Sequence, residues 1–78
     1  MSKVGKERSG MAEGIVKRIN VERGYAFIEQ VAGPDVFLHI SSLDRSIPWD
    51  SQLTGRRLRF DLVDAPRGPE AKNATAAD

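Results

Sequence analysis

The most constraining feature of this sequence is a pair of short aromatic and β-branched runs separated by a strong turn signal. The first run is Tyr-Ala-Phe-Ile-Glu at residues 25–29, and the second is Val-Phe-Leu-His-Ile at residues 36–40. Gly33, Pro34 and Asp35 lie between them, and these residue types favour tight turns. Two strand-forming runs around such a turn predict an antiparallel β-hairpin.

The two faces of this hairpin differ in chemistry, because side chains alternate between faces along a strand. One face is aliphatic and carries Ala26, Ile28, Val36, Leu38 and Ile40. The other carries four flat rings, which we call the aromatic platform: Tyr25, Phe27, Phe37 and His39. Each ring alone is also typical of an ordinary core. Burying all four would force the aliphatic set outward, so we expect the aliphatic face to be buried and the platform to be exposed.

The remaining chain also favours strands. Residues 15–19 are rich in β-branched types, and Leu58, Phe60 and Leu62 alternate with charged residues, as in a strand with one buried face. A last short strand fits residues 69–74, after the turn-forming Pro66, Arg67 and Gly68. Five short strands and no long helix predict an all-β fold, a five-stranded antiparallel barrel whose closure removes exposed edges.

The length of 78 residues fits one small domain. Residues 1–10 hold three basic residues against one acidic residue and few apolar ones, which predicts a flexible basic arm. We expect the domain to span residues 11–74, followed by a frayed end at residues 75–78. The longest irregular connection, residues 41–54, contains the only tryptophan, Trp49.

Composition excludes several classes of protein. The chain has no cysteine, which excludes disulfides and thiolate metal sites, and its net charge of +1 does not by itself indicate a duplex-DNA binder. No apolar run approaches the roughly 20 residues of a membrane span. His39 with Asp35 or Asp44 could form an acid–base pair, but the sequence has no nucleophile, glycine-rich phosphate loop or metal-ligand spacing to accompany it. These features predict a soluble, cytoplasmic, non-enzymatic protein that uses no cofactor, small-molecule substrate or membrane.

Flat rings with cations beside them are the combination that binds single-stranded nucleic acid, by base stacking and phosphate contact. Lys17, Arg18 and Arg23 supply cations near the platform. A second basic group, Arg56, Arg57 and Arg59, is expected to lie on a solvated face away from it. For Trp49 two readings remain open, packing of the loop onto the barrel and direct contact with a base.

Four segments of the chain carry a resemblance to a known family. Residues 14–20, Gly-Ile-Val-Lys-Arg-Ile-Asn, look like the Gly-x-Val-Lys-Trp-Phe-Asn segment of cold-shock domains. Residues 23–28, Arg-Gly-Tyr-Ala-Phe-Ile, resemble the first ribonucleoprotein-type motif of cold-shock domains, Lys-Gly-Phe-Gly-Phe-Ile. Residues 36–40 resemble the second motif, Val-Phe-Val-His-Phe, and residues 66–74 are similar to the closing Gly-Pro-x-Ala-x-Asn-Val segment. The resemblance implies an OB-fold barrel that binds single-stranded RNA or DNA, often pyrimidine-rich, and acts as an RNA chaperone or a regulator of transcription or translation.

Carried over by position, the resemblance implies nucleic-acid contacts at Lys17, Arg23, Tyr25, Phe27, Phe37 and His39. We add two candidate contacts that do not match the family by type: Arg18, and Trp49, which stands roughly where the family has a loop phenylalanine. The sequence also departs from the family pattern, because Arg18, Ile19 and Ile40 stand where the family has aromatic residues. Arg18 can recover part of the loss by cation–π contact. The missing rings leave a second hypothesis open, a protein-interaction module with reduced nucleic-acid binding that uses Ile19, Ile40 and Trp49 as its surface.

Overall fold

The computed structural model describes residues 11–31 and 33–77, and the predicted basic arm at residues 1–10 lies outside them. Five strands form the fold, with short 3-10 helices at Ile40–Ser42 and Ser51–Leu53. The strands are β1 (Met11–Asn20), β2 (Tyr25–Glu29), β3 (Val36–His39), β4 (Arg57–Ala65) and β5 (Gly68–Ala76). They close into a barrel in the order β1-β2-β3-β5-β4, which confirms the predicted five-stranded OB-fold barrel.

One strand pair departs from the predicted antiparallel pattern. β3 and β5 are parallel, with Phe37 opposite Glu70 and Leu38 opposite Ala71, whereas the other four pairs are antiparallel. The reason is geometric, because a ring with an odd number of strands cannot alternate direction all the way round. This parallel pair joins the C-terminal strand to the hairpin that carries the aromatic platform.

The barrel interior is filled by the aliphatic face of the hairpin, as the alternation predicts. Ala26, Ile28, Val36 and Leu38 have no measurable exposure. Leu58 and Phe60 from β4 complete the centre, and Phe60 is the largest fully buried side chain. Burial of about 1.5–3 kcal/mol per large apolar side chain makes this cluster the main stabilising element of a small domain.

A β-bulge at Lys17 changes the direction of the side chains that follow it in β1. Val16 pairs with Ile28, but the next pair is Arg18 with Phe27, so Lys17 is the extra residue. A bulge makes two neighbouring side chains share a face. Lys17 and Arg18 therefore both face outward, whereas Ile19, opposite Ala26, is half-buried against the core. Ile19 therefore keeps only part of its side chain at the surface, and its place in an interaction surface stays a hypothesis.

Two ends of strands differ from the predicted ones. β3 ends at His39, so Ile40 leaves the sheet and is 42% exposed, and its predicted place on the inward face is wrong. At the C-terminus β5 continues through Ala76, where Thr75 pairs with Arg59 and Ala76 with Leu58. The strand thus extends two residues beyond the predicted end of the domain, because β4 begins early enough to pair with them.

Within residues 11–31 and 33–77, the structure contains no helix with the length and apolar character needed to cross a lipid bilayer.

Close packing at Gly14 holds the hairpin against β1. A Cβ atom at Gly14 would lie 2.5 Å from Ile28 Cγ2 and 2.7 Å from the Glu29 carbonyl oxygen. Gly14→Ala is therefore expected to lower the free energy of unfolding by at least about 1 kcal/mol, because the strands must separate. Urea denaturation followed by tryptophan fluorescence measures this, with Ile15→Ala, at the exposed neighbouring position, as control. An unchanged midpoint for Gly14→Ala would contradict the packing argument.

Candidate nucleic-acid interface

Three rings of the aromatic platform form one contiguous cluster on the outer face of the hairpin. Phe27 lies directly opposite Phe37 across the two strands, and Tyr25 lies opposite His39. The ring centroids are 5.7 Å apart for Tyr25 and Phe27, and 5.9 Å for each of the other two pairs. Tyr25, Phe27 and Phe37 are half-buried and His39 is exposed, so part of each ring is accessible.

The three rings do not lie in one plane. Tyr25 and Phe37 are inclined by only 25°, whereas Phe27 meets them edge-on at 76° and 73°. Edge-to-face contacts are a preferred arrangement of aromatic pairs and stabilise the cluster itself. The accessible ring surface therefore has two orientations, one shared by Tyr25 and Phe37 and one at Phe27.

Arg18 lies over the platform. Its Cζ atom is 5.7 Å from the centroid of the Phe27 ring, within the range of a cation–π contact. The bulge at Lys17 makes this contact possible, because it turns Arg18 to the outer face directly opposite Phe27. A guanidinium group is itself flat and can stack on a base or bind a phosphate. Arg18 thus adds a charged plane to the platform.

Lys17 is held by an ion pair at the edge of the platform. Its Nζ atom lies 3.2 Å from Asp35 Oδ2, with side-chain exposures of 48% and 35%. An ion pair so open to solvent contributes about 0–1 kcal/mol. A phosphate oxygen can replace the carboxylate at little cost, so Lys17 is available to an anionic ligand.

The turn between β1 and β2 places Arg23 beside the Tyr25 end of the platform. The turn is closed by the Gly24 amide, which donates to the Asn20 carbonyl oxygen at 3.0 Å. Asn20 also accepts the Arg23 amide at its Oδ1 atom and approaches the Tyr25 hydroxyl through Nδ2 at 3.5 Å. Arg23 is exposed, and this turn fixes its backbone next to β2.

His39 ends β3 and caps the 3-10 helix that follows. Its Nδ1 atom accepts the Ser41 backbone N–H at 3.1 Å and lies 2.8 Å from Ser41 Oγ. Because Nδ1 accepts a hydrogen bond, the neutral ring carries its proton on Nε2. The exposed imidazole therefore offers one N–H donor and one flat face.

Trp49 anchors the long connection to the turn that carries Arg23. Its Nε1–H donates to the Val21 carbonyl oxygen at 3.2 Å, and the ring packs partly buried against the core. These contacts are the ones expected if Trp49 packs the long connection onto the barrel. Direct contact of Trp49 with a base stays a prediction.

The opposite edge of the platform is formed by β5, and reasoning from the sequence missed it. Glu70 is the register partner of Phe37, and its carboxylate pairs with Lys72 at 3.4 Å. No local pattern in the sequence indicates this proximity, because it arises from the parallel closure of the barrel. The platform therefore has a basic edge at β1 and an edge of mixed charge at β5.

The second basic group lies mainly on β4. Arg57 and Arg59 are exposed, and Arg59 binds Glu13 through Nε and Nη2 at 3.3 Å and 3.1 Å. Arg56 is closer to β1, since its carbonyl oxygen accepts the Val16 amide at 3.0 Å. Among residues 11–31 and 33–77 no group of three or more His, Asp or Glu side chains is placed to hold a metal ion.

The sequence was compared with models of known protein families, and one of them covers nearly all of the barrel. The model of the 'Cold-shock' DNA-binding domain matches residues 12–77. The chain belongs to the cold-shock domain family. This confirms the resemblance seen in the motifs around Tyr25 and Phe37.

This cold-shock domain is also similar to several proteins that are named cold shock proteins. It is 43% identical over 61 residues to a cold shock-like protein, CspC, of Bacillus cereus, which covers 78% of this chain and 92% of the relative. It is 40% identical over 65 residues to a major cold shock protein of Streptococcus pyogenes serotype M6, and 40% identical over 65 residues to a cold shock-like protein, CspD, of Bacillus cereus. These two matches cover 83% of this chain and 96% and 97% of the relatives.

Proposed function

We propose that this cold-shock domain binds single-stranded RNA or DNA without catalysis, by stacking bases on the aromatic platform. In this proposal Tyr25, Phe27, Phe37 and His39 receive bases, while the side chains at the β1 edge contact the phosphates. The phosphate-binding side chains are Lys17, Arg18 and Arg23. Trp49 is a further predicted contact, which would touch a base through the accessible part of its ring.

One observation carries this proposal, the outward position of the hairpin's rings over the buried aliphatic face of the same hairpin. Tyr25, Phe27 and Phe37 share the outer face, and the residues between them on each strand are buried. Base–aromatic stacking contributes about 1–3 kcal/mol per base. Four stacked bases at about 2 kcal/mol each correspond to a dissociation constant in the micromolar range.

The proposed action on RNA follows from binding to one conformation only. A protein that binds unpaired strands shifts the equilibrium of an RNA hairpin toward its melted form, by as much as its affinities for the two forms differ. This requires no nucleotide hydrolysis. We therefore propose a role as an RNA chaperone or as a regulator of transcription or translation, with pyrimidine-rich strands as the preferred ligands.

A titration across nucleic-acid type and salt tests the proposal. Oligothymidine, oligocytidine and oligoadenosine of about eight nucleotides, and a duplex of equal length, are each added to the protein while intrinsic fluorescence is followed. We expect the single strands to bind more tightly than the duplex, with pyrimidine strands the tightest. Three cation contacts predict a salt slope of about −2, since each phosphate contact on a single strand contributes about −0.7.

Two other outcomes separate the alternatives. Equal affinity for all three strands would overturn the pyrimidine preference and leave stacking intact. No binding to any strand at low salt, together with a protein partner that stays bound after nuclease treatment, would replace the proposal by the protein-interaction hypothesis. Of the surface assigned to that hypothesis, Ile40 is exposed, and Ile19 and Trp49 are half-buried against the core.

A further inference from the structure

A groove runs between the Ile40–Ser42 turn and the end of β5, beside the aromatic platform. Its volume is about 730 Å³, and it is open to solvent along its length. Ser41, Ser42 and Arg45 line one wall, and Lys72 and Thr75 line the other. A parallel bridge between Leu43 and Ala74, and the Asp44 amide that donates to the Ala74 carbonyl oxygen at 2.8 Å, hold the walls together.

This groove is continuous with the aromatic platform. A smaller cleft of about 250 Å³ lies against Phe37 and His39, and its far side is formed by Ser41, Ser42 and Lys72. The same three residues line the larger groove. Because the two depressions adjoin at these residues, a chain lying on the platform can pass from Phe37 and His39 into the groove.

The lining of the groove suits a sugar–phosphate backbone. It contains no aromatic ring on which a base could stack, but it offers two cations, Lys72 and Arg45, and the hydroxyl groups of Ser41, Ser42 and Thr75. Cations and hydroxyl groups are the usual partners of phosphate oxygens. The groove thus differs chemically from the platform, which offers rings.

Two carboxylates, Asp44 and Glu70, lie beside the cations of this region, and an incoming phosphate has to compete with them. The Asp44 carboxylate accepts a hydrogen bond from the Ser46 hydroxyl within its own loop. Glu70 pairs with Lys72 at 3.4 Å, with side-chain exposures of 31% and 49%. An exposed pair of this kind contributes at most about 1 kcal/mol, so a phosphate can compete for the Lys72 ammonium group.

We propose that a single strand of nucleic acid leaving the platform continues through this groove, with Lys72 and Arg45 contacting its phosphates. The inference rests on the proposed function, because the platform supplies the bases of the same strand. It extends that function by a second segment of the binding site, which recognises the backbone and not the bases. Short strands fill the platform alone, and longer strands also fill the groove.

Strand length therefore provides the test. The double variant Lys72→Ala/Arg45→Ala is titrated with oligothymidines of about four and about ten nucleotides at two salt concentrations. For the longer strand we expect affinity to fall about 10-fold and the salt slope to become less negative by about 1.4, which corresponds to two lost phosphate contacts. The shorter strand is expected to bind as it does to the unaltered protein.

A matched control removes the same charge from another face. Arg57→Ala/Arg59→Ala lowers the net charge equally on β4 and is expected to leave the affinity for both strands unchanged. Glu70→Gln removes the competing carboxylate from Lys72 and is expected to tighten binding of the longer strand about 2-fold.

Three results would overturn the inference. The first is an equal loss of affinity for both strand lengths in Lys72→Ala/Arg45→Ala, the groove variant. The second is no loss of affinity for the longer strand in that variant. The third is a loss of affinity in Arg57→Ala/Arg59→Ala, the β4 control, equal to the loss in the groove variant. If the unaltered protein binds neither strand, the proposed function fails as well. If it binds both, and the groove variant changes neither, only the groove proposal fails.

Discussion

Phe60→Ala is expected to destabilise the domain by about 3–5 kcal/mol, the range found when a buried aromatic ring is truncated. Phe60 has no measurable exposure and is the largest side chain in the barrel interior. Its removal leaves a cavity surrounded by side chains from several strands, which cannot close without breaking the barrel. Small domains have only a few kcal/mol of stability, so most of the variant is expected to be unfolded at room temperature.

The measurement is urea denaturation followed by tryptophan fluorescence and by far-ultraviolet circular dichroism. Phe37→Ala is the matched control, because it makes the same chemical change on the outer face of the same barrel. We expect that control to cost about 1–2 kcal/mol, less than Phe60→Ala, since Phe37 loses two ring contacts but is already partly exposed to solvent in the folded state. Similar losses for the two variants would contradict the assignment of inner and outer faces.

Phe27→Ala is expected to weaken binding of single strands by about 1–3 kcal/mol, which corresponds to roughly 5- to 150-fold in the dissociation constant. Phe27 is in edge-to-face contact with Tyr25 and Phe37 and lies under the Arg18 guanidinium. Its loss removes one stacking surface and also releases Arg18 from its position. The effect is therefore expected to exceed that of removing a ring at the edge of the cluster.

Two further variants show whether stacking is the cause. Phe27→Leu keeps most of the apolar volume but no aromatic face, and we expect it to lose most of the affinity that Phe27→Ala loses. Ile15→Ala removes an exposed apolar side chain from the outer face of β1, opposite Glu29 and Arg57. We expect this variant to bind single strands as tightly as the unaltered protein. Full affinity in Phe27→Ala, with an unchanged melting temperature, would show that Phe27 does not receive a base.

The hairpin and its two faces are predictable from the sequence because they depend on neighbouring residues. Alternation places Phe27 and Ile28 on opposite sides whatever the rest of the chain does, and the turn residues around Pro34 bring the two strands together. Closure into a barrel also follows, since five short strands have few other ways to remove their edges. These local rules are sufficient for the hairpin's part of the core between residues 26 and 38 and for the ring cluster.

The charged surroundings of the rings depend on contacts that no local pattern predicts. A one-residue bulge at Lys17 turns Arg18 outward over Phe27 and Ile19 inward, and strict alternation gives no sign of it. Trp49 reaches Val21 across 28 positions of the chain, so its hydrogen bond depends on how the long connection folds back. Each of these features is set by packing between distant segments.

By itself, then, the sequence determined which residues are buried in the hairpin and which rings share its outer face, because a strand repeats every two residues. Only the tertiary structure decided what borders those rings. The odd number of strands requires one parallel pair, and that pair brings Glu70 and Lys72 of β5 beside Phe37. Residues more than 30 positions apart become neighbours through closure of the barrel, a property of the whole chain that no short segment contains.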